Sequence, residues 1–155
     1  MPEPITKDRY GLRDRRAAAA AKLTYFLLRI VAGLLFFQAG AATLFGWFRL
    51  SPDPEPLHLM SQQGIGGILE FAGGLAIMAG LFTRPVAFVL SGVMAVAYWQ
   101  FHAPHGTWPI ENEGMAAVLF SFLFLFMAAR GAGDWSLDAV LFHAKRANSL
   151  ENDSD

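Results

Sequence analysis

The chain has 155 residues, of which 54% are hydrophobic and 16% charged, against roughly 45–50% and 25% for a soluble domain. Its net charge of −1 offers no field for nucleic acid, and it has no cysteine, which removes disulfides, thiolate metal sites, iron–sulfur clusters and thiol redox chemistry. The apolar excess collects in four blocks, which points to helices in a lipid bilayer and not to an apolar soluble core.

The first 22 residues are basic, and Ala17 to Ala21 is strong helix-forming sequence leading into the first block, Leu23 to Phe48. Ala39-Gly40-Ala41 resembles a signal-peptide cleavage site. However, the basic region before the block is long and the apolar run continues past that point, so the block reads as a retained span. Arg29 lies near its start and shares a face with Gly33 and Gly40. Gln38, nine residues on, falls on the opposite side of the same helix.

The second block, Gly64 to Phe82, contains Glu70 in an otherwise apolar, glycine-rich run. A carboxyl in hydrocarbon costs several kcal/mol unless paired or neutralised, so it marks a functional or structural centre. Gly66, Glu70 and Gly73 recur at i, i+4 and i+7, Gly80 continues that face, and Gly67 and Gly74 lie beside it. These small residues predict a face packed against a neighbouring helix, with Glu70 on it and away from lipid. Three roles stay open: a buried carboxyl in a packing stripe, a ligand, proton or cofactor site, or a contact with a partner subunit. Arg29 is the natural counter-charge, but it lies near the other end of the bundle, with an axial gap of roughly 12 Å across the bilayer core. Snorkelling of Arg29 to the near surface is the competing expectation. Gln38 sits at a better depth to meet Glu70.

The third block, Val86 to Phe101, is short and follows a connection of only Thr83-Arg84-Pro85, which predicts an antiparallel hairpin with proline at a helix start. The fourth runs from Gly114 to Arg130. The longer connections are proline-bearing. One of them gathers His102, His105, Glu111, Asn112 and Glu113 into a polar cluster. Its spacing matches no metal-ligand pattern and Pro104 interrupts any helix, so no metal is assigned to it. No histidine lies within a block, which argues against two-histidine haem ligation in the membrane. Trp47, Phe48, Trp99 and Trp108 suit an interfacial aromatic belt.

Ten of the 12 Lys and Arg residues fall on one side of the four blocks, at both ends of the chain and in the Arg84 hairpin. The positive-inside rule assigns that side to the cytoplasm. Arg49 is alone in the opposite loops, which carry Asp53, Glu55, Glu111 and Glu113. After the fourth block Leu137, Val140, Leu141 and Ala144 recur at helical spacing, with Asp138, Lys145 and Arg146 available for the polar side, as in a short interfacial helix entered by Trp135. Residues 148–155 read as disordered. The expected fold is all-α: an antiparallel bundle of four transmembrane helices, both termini cytoplasmic, with a short interfacial C-terminal helix. Three stretches follow: a basic N-terminal segment (1–22), a four-helix membrane domain (23–138) and a cytoplasmic tail (139–155).

Three motifs in order carry a family resemblance. They are Leu28-Arg29-Ile30-Val31-Ala32-Gly33; Glu70-Phe71-Ala72-Gly73-Gly74 with Gly80-Leu81-Phe82-Thr83-Arg84; and Arg130-Gly131-Ala132-Gly133-Asp134-Trp135-Ser136-Leu137-Asp138. The last, with Gly131, Gly133, Trp135, Ser136 and Asp138, is the most distinctive. The chain thereby resembles the DoxX family of bacterial four-helix membrane proteins over about Leu23 to Asp138. It departs from the family at Gln38 and Thr43, where many members carry His and Lys, and at Asn112-Glu113-Gly114-Met115, where many carry Asn-Gly-Gly-Glu.

The resemblance implies a location in the bacterial inner membrane. It suggests a non-catalytic subunit or scaffold of a quinone-linked or oxidative-stress redox complex, with a quinone or small lipid beside Glu70. Partners would then be the bilayer, subunits of that complex or a second copy of the chain, with no cofactor ligated by the chain itself. Two alternatives stay open: the membrane subunit of a thiosulfate:quinone oxidoreductase, and a small-solute or proton-linked transporter using Glu70 and Arg29.

Overall fold

Apolar runs without proline become helices because backbone groups can then bond within the segment. In the computed structural model, which describes residues 5–48 and 58–141, four α-helices account for the four blocks: α1 (Ile5–Phe45), α2 (Gln62–Ala79), α3 (Thr83–Ala97) and α4 (Met115–Arg130). The described residues contain no strand. Helix α1 has 41 residues, about 60 Å at the usual rise per residue. From Ile5 to Phe45 the basic N-terminal segment and the first block are therefore one rod, and its residues 13–22 are exposed.

Two boundaries differ from the sequence expectation. Thr83, Arg84 and Pro85 are not the connection between the second and third blocks; they form the first turn of α3. The connection is Gly80 to Phe82, where Gly80 (φ +67°) ends α2 and takes bonds back to Ile77 and Ala76, the left-handed helix end that glycine makes without a steric penalty. At the other end α3 does not stop at Phe101. It runs on through a π-helical turn (Tyr98–His102) and a 3-10 turn (Ala103–His105) that accommodates Pro104.

The helices alternate in direction, as the close contacts show. Gly33 meets Gly74 and Gly40 meets Gly67 across α1 and α2. Gly73 meets Leu90 across α2 and α3, and Ser91 donates to the Ser121 carbonyl across α3 and α4 at 2.8 Å. The glycines let α1 and α2 approach backbone to backbone. Helices α1 and α4 meet instead through large rings: Phe36 lies 4.5 Å from Phe124 and 5.0 Å from Phe120, edge to face. Tyr25, Ala32, Phe36, Ile77, Ala87, Leu90, Phe124 and Met127 form the buried core.

The outer surface is apolar. Phe88, Leu119 and Phe122 are each 67% exposed, and Leu27, Leu34 and Leu35 line α1 in the same way. An apolar belt of this extent marks a surface that meets lipid or protein and not water. Two helical stretches, Arg13–Phe45 and Thr83–His105, are long and apolar enough to cross a membrane, and α4 is a shorter apolar helix. Residues 137–141 are helical, with Leu137, Val140 and Leu141 exposed. The rest of the expected interfacial helix (Ala144, Lys145, Arg146) and the tail at 148–155 lie outside the described residues, as do Arg49, Asp53 and Glu55.

Candidate functional site

Two groups of the expected site residues are separated along the bundle. Glu70 lies at the middle of α2, whereas Arg29 meets the Gly80 end of that helix. Glu70 is half-buried in the wall of an open cavity of about 520 Å³ lined by residues of α1, α2, α3 and the π turn. Thr43 comes from α1; Gln62, Gln63, Gly66 and Leu69 come from α2; Gly92, Val93, Val96 and Phe101 come from α3 and its extension. No described side chain hydrogen-bonds to the Glu70 carboxyl. At the cavity's edge the Gln62 amide donates to the Gln100 carbonyl oxygen, tying the start of α2 to the π turn. The lining includes no Lys or Arg.

The expected packing stripe is thus only partly one. Gly67 abuts Thr43, Gly73 abuts Leu90, and Gly74 abuts Gly33 and Phe37. Gly66 has open space where a Cβ would be, because it faces the cavity. Gly80 is a helix cap and not part of the stripe. Glu70 is half-buried beside an open void rather than packed against a helix. Gln38 is half-buried and does not line the cavity; Thr43, one of the positions where the chain departs from the family pattern, does.

Arg29 meets neither expectation made for it. It does not reach Glu70, and it does not snorkel to a surface: it is 1% exposed. Its two terminal nitrogens donate to the Ala132 carbonyl and, at 2.5 Å, to the Trp135 carbonyl, while its Nε has no partner. One turn earlier, Tyr25 donates to the Gly131 carbonyl. The backbone after α4 folds over these side chains, with Gly131 (φ +87°) turning it beside Arg84 and Gly133 (φ +76°) passing the Tyr25 ring. Trp135 packs edge to face on Phe26 at 5.4 Å, and Arg130 lies over the Tyr25 ring at 4.2 Å. Lys22 pairs with Asp134 at 2.7 Å in solvent.

Ser136 and Asp138 complete this clasp. Ser136 donates to the Gly133 carbonyl and accepts from the Ala139 amide, starting the next helix. The Asp138 carboxylate accepts from the Phe82 and Thr83 amides at 2.8 and 2.9 Å, so it caps α3 from a distant segment. Its own amide donates to the Gly80 carbonyl. Phe82, a non-glycine at φ +47°, is held there by these bonds. Arg84 in turn donates to the Ala128, Ala129 and Arg130 carbonyls that end α4. Removing a cap of this kind costs about 0.5–2 kcal/mol. Asp138→Ala is expected to lower the unfolding midpoint in mild detergent by that amount, and Asp138→Asn, which keeps one acceptor, to recover about half.

The histidine and acid cluster serves its loop. His102 Nδ1 bonds the Asn112 carbonyl, and His105 Nδ1 bonds the Phe101 carbonyl, each at 2.9 Å. The buried Asn112 side chain bonds Gly106 and Gly114, Glu111 accepts from the Trp108 amide, and Glu113 takes φ +58° at the turn into α4. Among the described residues no group of three or more His, Asp or Glu is placed to hold a metal ion. Tyr25, Gln63, Gly92 and Phe101 belong to the two sites and are not singled out by the sequence. Tyr25 was findable: it stands one turn before Arg29 on the same face.

A model of the DoxX family matches residues 24–103, which contain Arg29, the α1–α2 glycine contacts and the whole lining of the Glu70 cavity. A Haemophilus influenzae protein described as uncharacterized is 36% identical over 131 residues, covering 76% of this chain and 92% of that protein. Escherichia coli inner membrane protein YqjF is 29% identical over 120 residues, covering 73% of this chain and 88% of that protein. No solved structure matches. With the family model covering half its length and a relative matched nearly end to end, the chain belongs to the DoxX family of membrane proteins.

Proposed function

We propose that this protein crosses the bacterial inner membrane four times with both termini in the cytoplasm. There it serves as a non-catalytic subunit of a membrane redox complex, holding a quinone-class ligand beside Glu70. The observation that carries the reading is the cavity of about 520 Å³ with one half-buried carboxyl, unpartnered among the described residues, in an otherwise mostly apolar wall. Ligand sites have this composition: apolar walls with a few placed polar groups. A protonated Glu70 donates to a ring carbonyl, and an ionised one accepts from a ring hydroxyl, so either form of a quinone or quinol finds a partner.

The assignment as a subunit rests on chemistry. The chain has no thiol, and His102 and His105 bond backbone carbonyls of one loop, which supports electrons coming from another protein. The span count draws on α2 and α4, of 18 and 16 residues, near the roughly 20 that a bilayer needs. The orientation draws on the basic residues gathered at the Arg84 end, and the membrane on the relative's description as an inner membrane protein.

Glu70→Leu tests the reading. Among the described residues the carboxyl has no hydrogen-bond partner to lose, so the unfolding midpoint in detergent is expected to stay within about 0.5 kcal/mol of wild type. Quinone retention, read by extraction and mass spectrometry of the purified protein, is expected to fall about tenfold, the loss of one buried hydrogen bond. Full retention by the variant rejects the site.

A further inference from the structure

The Glu70 cavity adjoins a second groove. On α3 its lining residues Gly92, Val93, Val96 and Ala97 are followed toward the helix start by Pro85, Val86, Val89 and Leu90, which line that groove. On α2, Leu69 lines both the cavity and the groove, which has a volume of about 360 Å³ and also takes in Ile68, Ala72 and Gly73. Every residue of this second groove is apolar. Ile68 and Val89 are 44% and 47% exposed, so the groove opens sideways onto the apolar outer surface. One seam therefore runs along α2 and α3: a polar head space at Gln62, Gln63 and Glu70, then an apolar channel toward Pro85.

We propose that this seam seats a single long-chain lipid with an uncharged, hydrogen-bonding headgroup, its head at Glu70 and its chain along Leu69, Ala72, Val86 and Val89, entering laterally from the bilayer. The proposal rests on the Glu70 cavity being a ligand site and adds what the ligand must carry: one chain, lying toward the Arg84 end. Charge selects the headgroup. Among the described residues the head space presents a carboxyl and two amides and no cation, so a carboxyl that repels an anionic phosphate faces the headgroup, whereas a neutral ring carbonyl or hydroxyl finds a partner there. The size of the groove suits the chain. At about 360 Å³, between two helices in contact at Gly73 and Leu90, it suits one chain better than the pair carried by a phospholipid. Because lipid is as apolar as the groove, the chain is held by fit and not by exclusion from water. Filling the groove is then the decisive perturbation.

The test compares two probes on the full-length protein in lipid nanodiscs: a benzoquinone without a tail, and the same ring with a long isoprenoid chain. Val89→Trp fills the groove from an exposed position and leaves Glu70 untouched; Ala72→Leu does so from the opposite wall. Each is expected to weaken the tailed probe about tenfold, the effect of forcing bulk into a formed contact, while the tail-less probe is unchanged. If Glu70→Leu weakens both probes and the groove variants weaken neither, the head site stands and the seam is overturned. If Glu70→Leu affects neither probe, or neither binds wild type, the cavity reading falls and the seam with it. Equal weakening of both probes by the groove variants also overturns the proposal, since the tail then plays no separate part. A diacyl phospholipid that displaces the tailed probe would reject the single-chain assignment.

Discussion

Arg29→Ala is expected to be among the most damaging single substitutions in this chain, lowering stability by about 3–6 kcal/mol, because hydrogen bonds from a charged donor contribute about 1.5–3 kcal/mol each and two are lost. The Ala132 and Trp135 carbonyls have the guanidinium as their bonding partner, and the space left beneath the loop is too enclosed for easy solvation at 1% exposure. The damage should spread in a definite order. Once the loop after α4 is released, Asp138 no longer stands over the start of α3, and Phe82 loses the bonds that hold its left-handed conformation. Arg29→Lys keeps the charge but offers a single ammonium where two carbonyls are held by a planar fork, so it should recover less than half. The measurements are an unfolding midpoint in mild detergent and protease sensitivity near 131–138. A midpoint within about 1 kcal/mol of wild type for Arg29→Ala would show that the clasp carries little of the stability.

The same residue marks where the sequence was legible and where it was not. Each apolar block became a helix, because helix formation in an apolar run is dictated locally and proline and glycine mark the ends. Partners across the fold are another matter. A buried arginine invites a search for a carboxylate, and Glu70 was the only acid within a block; its true partners are backbone carbonyls, which every residue carries and no sequence pattern announces. The distinctive Gly131-to-Asp138 motif did point to the right segment, but only the folded chain reveals why those residue types stand there: two glycines for left-handed turns, Ser136 to start a helix and Asp138 to cap a different one. Helical spacing put Glu70 on an inward face but could not distinguish a face pressed on a neighbour from a face beside a void, since both are lined by small residues. Gln38 and Thr43 show the same limit. Depth along α1 favoured Gln38, whereas the rotation of α1 against α2, set by Gly33 on Gly74 and Gly40 on Gly67, brings Thr43 to the cavity.

That rotation is itself testable, and the glycines are expected to divide sharply. A Cβ at Gly40 would stand 2.3 Å from the Phe71 backbone nitrogen, and one at Gly74 would stand 2.4 Å from the Phe37 nitrogen. The obstructing atoms are main chain, so no side chain can swing aside and the two helices must separate. Gly40→Ala and Gly74→Ala are each expected to cost about 1–3 kcal/mol, more than the ~1 kcal/mol that alanine gains over glycine within a helix. Valine at either position should cost more. At Gly66 and Gly92 nothing lies within 4 Å of the added carbon, so alanine there should stabilise by about 0.5–1 kcal/mol. Gly67 is intermediate, since its neighbour is the Thr43 side chain at 2.8 Å, which can yield. The four substitutions compared by unfolding midpoint in one detergent decide the matter. If Gly66→Ala destabilises as much as Gly40→Ala, the face at Glu70 is a packed helix interface and the cavity is not open. If the two groups separate as expected, the glycines of α2 have two distinct uses: Gly67 and Gly74 bring α1 close, and Gly66 leaves room beside the carboxyl.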